Sequence, residues 1–283
     1  MWGPKESAID FHGVKIVFPV RDNIPSRSVP VVTYTIIGLC AAAFILQLLA
    51  GPRGELLLER YAMIPMRIAK PEEPILIPAV EVVQTPFGLR KAEVVRELLP
   101  AAVPEWATLI TSMFLHGGWL HFLGNMWFLY IFGDNVEDRF GKPLYALMYL
   151  SSGLIAGMAH IITNFDSVVP TIGASGAIAG VMGAYLVLYP HARVLTVIPM
   201  LIFFPVFVIP APVFLGIWFV MQLANGALMS MESEAGGVAW WAHIGGFAAG
   251  AAIALGLNAI HRLNPPVDSI LPGTDHSGVY RRF

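Results

Sequence analysis

The chain has 283 residues, of which 56% are hydrophobic and only 13% charged. Soluble domains carry about 25% charged residues, so this composition excludes a soluble globular enzyme and a disordered chain. Seventeen basic and 19 acidic residues give a net charge of −2, which offers nothing to a nucleic acid. A single cysteine, Cys40, excludes a disulfide framework and a cysteine-based metal site. What remains is a polytopic membrane protein.

A bilayer core takes about 20 apolar residues per helix. Uncharged windows run over 28–52, 106–133, 143–165, 167–192, 194–231 and 235–261, and each can hold one helix. The expected fold is an all-α membrane protein, a six-helix bundle over residues 29–261, preceded by a cytoplasmic segment 1–28. The first apolar run, Val29 to Ala50, exceeds the roughly 7–15 residues of a signal-peptide core and reads as a retained anchor. The fifth window is long for one span and short for two. Its Pro199, Pro205, Pro210 and Pro212 predict an extended lead-in followed by one helix near 207–226.

The first loop, 51–105, is long and holds seven basic and eight acidic residues. Leu89, Val94, Val95, Leu98 and Leu99 fall on one helical face between charges. This predicts an amphipathic helix, lying either on the bilayer surface or as a soluble cap. Residues 262–283 are polar and turn-rich and read as a disordered cytoplasmic tail. No internal repeat is visible, which disfavours an inverted-repeat transporter.

Lys and Arg collect on cytoplasmic loops. Lys5, Lys15, Arg21 and Arg27 precede the first span, Arg139 and Lys142 follow the second, Arg193 follows the fourth, and Arg262, Arg281 and Arg282 lie in the tail. The loops after spans three and five contain no basic residue. Both termini are therefore expected to face the cytoplasm; the long first loop does not overturn this, because long loops translocate largely regardless of charge.

Polar groups inside a bilayer are costly and are functional candidates by default. His121 and Asn125 lie four residues apart on span two, Ser175 sits near the start of span four, and His243 lies early in span six. In the expected topology all three helices enter from the extracytoplasmic side. At 1.5 Å per residue the four side chains sit roughly 5–12 Å below that surface. Singly, each has a bland reading: a serine bonded to its own helix, a histidine bridging helices, an asparagine gluing them. Four at one depth point to a site. Gly173, Gly176, Gly180 and Gly183 surround Ser175 along its helix. Gly246 and Gly250 form a GxxxG pair below His243, permitting a tight contact between spans four and six.

Four elements stand out: His116-Gly117-Gly118-Trp119-Leu120-His121-Phe122-Leu123-Gly124-Asn125, Val136-Glu137-Asp138-Arg139-Phe140-Gly141, Gly173-Ala174-Ser175-Gly176 and Ala242-His243-Ile244-Gly245-Gly246. In these the chain resembles the rhomboid family of intramembrane serine proteases. The resemblance runs from about Pro30 to His261. It implies Ser175 as nucleophile and His243 as general base. Asn125, His121 and the Ser175 backbone N–H would form the oxyanion hole. Glu137, Arg139 and His116 would be structural.

Two positions depart from the family pattern. Thr108 stands where an arginine is common after a tryptophan, which questions how the first loop is anchored. Ala179 stands where an aromatic residue often stacks on the catalytic histidine, leaving Trp240 or Trp241 to orient His243. No carboxylate lies in the outer half of any span, so a dyad oriented by helix packing is expected. A zinc protease would need HExxH, and no histidine here precedes a glutamate. An aspartate pair is excluded because Asp134 has no facing partner. No cofactor or metal is expected. The expected activity is cleavage of single-span membrane proteins near the extracytoplasmic end of their helices, in the plasma or bacterial inner membrane. Its expected partners are those substrates and membrane lipid. The alternative is a non-catalytic rhomboid-like chaperone or scaffold.

Overall fold

The computed structural model describes residues 18–85, 88–197, 204–229 and 238–266. Each of the six uncharged windows overlaps one helix of 14 residues or more, and the second of these helices runs past its window to Phe140. These are α1 (Val31–Leu49), α2 (Trp119–Phe140), α3 (Lys142–Thr163), α4 (Ser175–Leu188), α5 (Ala211–Met229) and α6 (Trp240–Ala259). By length and composition α1, α3 and α6 can cross a membrane, while α4 is a shorter apolar helix. Outward faces carry exposed Leu39, Leu46, Leu147, Ile217 and Leu255, the surface a membrane protein offers to lipid. Tyr145, Tyr149, Tyr185, Phe132 and Leu129 are fully buried between the helices.

The expectation of an all-α chain is corrected by five strands among the described residues. β1 (Phe18–Asp22), β4 (Arg193–Val197) and β5 (Val206–Pro210) form an antiparallel sheet in the order β1-β4-β5. It explains why α5 begins at Ala211, later than the expected 207. Residues 206–210 pair with Arg193–Val197, so the end of the lead-in is extended and strand-paired before the helix starts; Pro199 lies outside the described residues.

β2 (Leu76–Thr85) and β3 (Gly88–Glu97) form a hairpin where an amphipathic helix was expected. Burial along β3 alternates from Ala92 to Glu97, with Ala92, Val94 and Arg96 inward and Glu93, Val95 and Glu97 outward. That is the period of a strand. β-Branched valines on both strands favour this outcome, and Ile77 packs with Ile64 and Ile75 beneath the hairpin.

Both ends of the described chain meet at one end of the bundle. Asn264 donates to the Asp138 carbonyl at 2.7 Å, and Ser28 Oγ donates to the Asp138 carboxylate at 2.6 Å. Just inside, Glu137 caps α1. Its carboxylate accepts from the amides of Val32 (3.0 Å) and Thr33 (2.8 Å) and from Thr33 Oγ (2.9 Å). The first N–H groups of a helix have no intrahelical acceptor, and an anion there also meets the positive end of the helix dipole. Arg139 donates to Asn258 at 3.0 Å, tying α2 to α6. The expected tail mostly lies outside the described residues, as do residues 1–17.

The opposite end carries the long first loop. Arg67 is buried there and donates to the Glu59 carbonyl at 2.8 Å and the Leu99 carbonyl at 2.9 Å. It joins the start of the loop to its end, an anchor independent of position 108. Thr108 is buried and bonds its hydroxyl to the Glu105 carbonyl. Met63 and Thr171 exchange both backbone hydrogen bonds, and the Met66 amide donates to the Ser167 carbonyl at 3.0 Å. The loop therefore holds the segment that leads into Ser175.

Candidate active site

Ser175 is the first residue of α4, reached through Gly173 with φ of +119°. Side-chain-bearing residues rarely adopt that angle, so glycine is what lets the chain turn sharply into the helix. The Gly173 amide donates to the Ser112 carbonyl at 2.9 Å, which pins the turn. The amide of Ser175 lies in the first helical turn, where N–H groups have no acceptor within the helix.

α4 and α6 meet through glycines. A Cβ placed on Gly246 would lie 2.0 Å from the Gly176 carbonyl oxygen, and one on Gly183 would lie 2.1 Å from the Phe247 carbonyl oxygen. The obstacle in both cases is backbone, which cannot move aside. With the helices this close, Ser175 Oγ lies 2.8 Å from His243 Nε2.

His121 and Asn125 converge from α2 on Gly173. A Cβ there would sit 2.6 Å from His121 Nε2 and 3.6 Å from Asn125 Nδ2. The Gly117 amide donates to His121 Nδ1 at 3.4 Å, which leaves the proton on Nε2. Asn125 is buried, and its Nδ2 has no hydrogen-bond partner among the described residues. Two N–H donors thus face one space beside Gly173, two residues ahead of Ser175. All four singled-out side chains come together at one end of the bundle.

One residue of the site was absent from the sequence reading. Gln222, buried on α5, places Oε1 2.8 Å from His243 Nδ1. Trp218, one turn earlier, lies 5.8 Å from the imidazole at 36°. Trp240 touches the ring edge-on at 6.2 Å, so it contributes a contact, while the hydrogen bond comes from Gln222. Beyond the helix packing expected to orient a dyad, the ring therefore has a side-chain hydrogen-bond partner on α5. The signal existed in the sequence: a glutamine inside an apolar window is costly in the same way as the other four polar groups.

His116 is built into the frame. Its amide and carbonyl each bond the Gln47 side chain at 3.0 Å, and its Nδ1 lies 3.2 Å from the Phe114 carbonyl. Among the described residues no group of three or more His, Cys, Asp or Glu side chains is placed to hold a metal ion.

The Rhomboid domain family model matches residues 103–259, more than half of the chain and all of the site. The chain belongs to the rhomboid family. Its relatives include YdcA of Bacillus subtilis, 39% identical over 89 residues, covering 31% of this chain and 44% of that protein. RHOMBOID-like protein 6, mitochondrial, of Arabidopsis thaliana is 35% identical over 130 residues, 46% of this chain and 38% of the relative. Rhomboid protease GluP of Bacillus subtilis is 38% identical over 82 residues, 29% of this chain and 16% of the relative. The match therefore spans less than half the length of each. This rhomboid protein is a membrane protein, and the hairpin of its long first loop precedes the matched domain.

Proposed function

We propose that this rhomboid protein is an intramembrane serine endopeptidase. The observation that carries the reading is the 2.8 Å contact between Ser175 Oγ and His243 Nε2, made across two glycine-packed helices. His243 Nε2 takes the Ser175 proton as Oγ attacks a peptide carbonyl, and delivers it to the leaving amine. Negative charge on the carbonyl oxygen is met by the N–H groups of His121, Asn125 and Ser175. Such donors act strongly because they are fixed before charge develops and sit away from bulk water. Water then cleaves the acyl-enzyme, again with His243 as base.

In this reading all six helices cross the bilayer and both termini face the cytoplasm, as the positions of Lys and Arg favour. α4 has 14 residues. At 1.5 Å each it is about 21 Å long, roughly 9 Å short of a bilayer core. Placing its Leu188 end at the inner surface leaves Ser175 below the outer one, within the depth expected from the sequence. The bond cut lies near the extracytoplasmic end of a single-span substrate. Glycine and proline there favour cleavage, since they cost about 1 and 3 kcal/mol in a helix relative to alanine and free the backbone for attack. A plasma or bacterial inner membrane location fits this arrangement.

The test is reconstitution in liposomes with a single-span substrate, the cut mapped by mass spectrometry. Ser175→Ala and His243→Ala each abolish cleavage while the protein stays folded, and only chains with Ser175 are labelled by a fluorophosphonate. Normal turnover by folded Ser175→Ala protein would sink the assignment and favour a scaffold. Cuts at the cytoplasmic end would overturn the orientation.

A further inference from the structure

Resting on the protease reading, we infer that Gln222 is a positioning residue that holds His243 in the one tautomer able to take the serine proton. The hydrogen bonds leave a single consistent assignment. Gln222 Nε2 lies 3.3 Å from the Trp218 carbonyl oxygen, one turn back on α5. A carbonyl only accepts, so the amide NH₂ must point at it and the amide oxygen must point away. That oxygen is the atom 2.8 Å from His243 Nδ1. It too only accepts, so Nδ1 carries the ring proton. Nε2 is then unprotonated and accepts from Ser175 Oγ at 2.8 Å. The Trp218 carbonyl thus sets, through Gln222 and His243, the direction of the serine hydroxyl.

The two α5 residues divide the work. Trp218 lies tilted over the imidazole and against Phe247 at 6.0 Å, limiting ring tilt. Gln222 acts in the plane of the ring at its far nitrogen and prevents rotation. In a serine triad an aspartate has this place and also stabilises the imidazolium by its charge. A neutral amide supplies orientation and tautomer without a buried charge, which is costly inside a membrane protein. It also takes over the orienting task that an aromatic side chain at Ala179 would perform.

Gln222→Met keeps length and loses the acceptor; Gln222→Glu keeps an acceptor oxygen at the same reach. In liposomes with a single-span substrate, kcat of Gln222→Met falls about 10- to 100-fold, the range for a hydrogen bond to a group that becomes charged. KM stays unchanged, because Gln222 orients the base and does not hold substrate. The fluorophosphonate labelling rate of Ser175 falls in parallel, and Gln222→Glu recovers most of both losses. Wild-type kcat in Gln222→Met overturns the inference. So does an equal loss in both variants accompanied by a raised KM, which marks a packing role. If Gln222→Met does not fold, Gln222→Glu decides alone, and a loss beyond tenfold in the folded protein overturns the inference. A Ser175→Ala control that still cleaves overturns the protease reading itself, a result distinct from all of these.

Discussion

Gly250 of α6 rests on the backbone of Gly180 in α4, so that a Cβ on Gly250 would lie 1.8 Å from the Gly180 carbonyl oxygen. One turn nearer the site, Gly246 meets Gly176 in the same way. The two pairs repeat at i and i+4, the spacing of one helix face, and together set the distance between Ser175 and His243.

A side chain at either position must push the helices apart. Gly246→Ala and Gly250→Ala therefore lower turnover by about 10²-fold or more, the cost of misplacing reacting groups by about 1 Å. Gly256→Ala is the control, since a Cβ there meets nothing within 4 Å. It leaves cleavage unchanged and raises the thermal midpoint slightly, because alanine is the better helix former. Equal activity in Gly250→Ala and Gly256→Ala would show that the contact does not govern the site.

Asn125 has a buried amide nitrogen with no hydrogen-bond partner among the described residues, facing the space beside Gly173. Asn125→Ala should reduce kcat by roughly 10²–10³-fold, the cost of one oxyanion donor. The thermal midpoint should change little, because no hydrogen bond of that donor is broken in the resting protein. A smaller loss means that His121 and the Ser175 amide compensate, and the His121/Asn125 double alanine variant then shows the remainder. Unaltered kcat in the double variant contradicts an oxyanion role.

Glu137→Gln tests the cap on α1. The carboxylate accepts three hydrogen bonds from Val32 and Thr33; an amide offers one oxygen and no charge. The expected loss is about 1–3 kcal/mol, as for hydrogen bonds to a charged acceptor, read as a lower unfolding midpoint in detergent. Fluorophosphonate labelling of the folded variant should proceed at the wild-type rate. An unaltered midpoint would mean that the cap contributes nothing to holding α1.

The helices were readable because a bilayer excludes charge, so gaps between charged residues mark where a helix can lie. The glycine contact was readable for a similar reason: only glycine permits backbone to touch backbone, and Gly176, Gly180, Gly246 and Gly250 stand at matching spacings. The strands were not. Between Leu89 and Leu99 the apolar residues fit a helical face, and Val94 and Val95 in succession blur the alternation of a strand. The pairing of Phe18–Asp22 with Arg193–Val197 joins segments far apart in sequence, and no local pattern names the partner. Gln222 is a polar group in an apolar window like the other four, but no local pattern pairs a lone glutamine on one helix with a histidine on another.

Asp22 lies in β1, outside the helices. Its carboxylate accepts from the Asn135 amide at 2.8 Å, from the Tyr185 hydroxyl and from the Ile24 amide at 3.3 Å. Burial outweighs these bonds and pushes its pKa up from 3.8 to about 7. The folded protein therefore holds this proton more tightly than the unfolded chain. As pH rises through 3.8 the unfolded chain releases the proton freely, while the folded protein keeps it until about 7. Stability contributed by this group is thus greatest in acid, declines across that interval and levels off above it. Asp22→Asn is neutral throughout and removes the decline. Other groups titrate as well, so the measurement is the difference between variants. Unfolding midpoints in detergent at pH 5, 6, 7 and 8 should show wild type losing ground to Asp22→Asn as pH increases, with most of the gap opened by about pH 7. Parallel curves would mean that Asp22 is ionised in the fold at every pH tested, held by Asn135 and Tyr185 against the cost of burial.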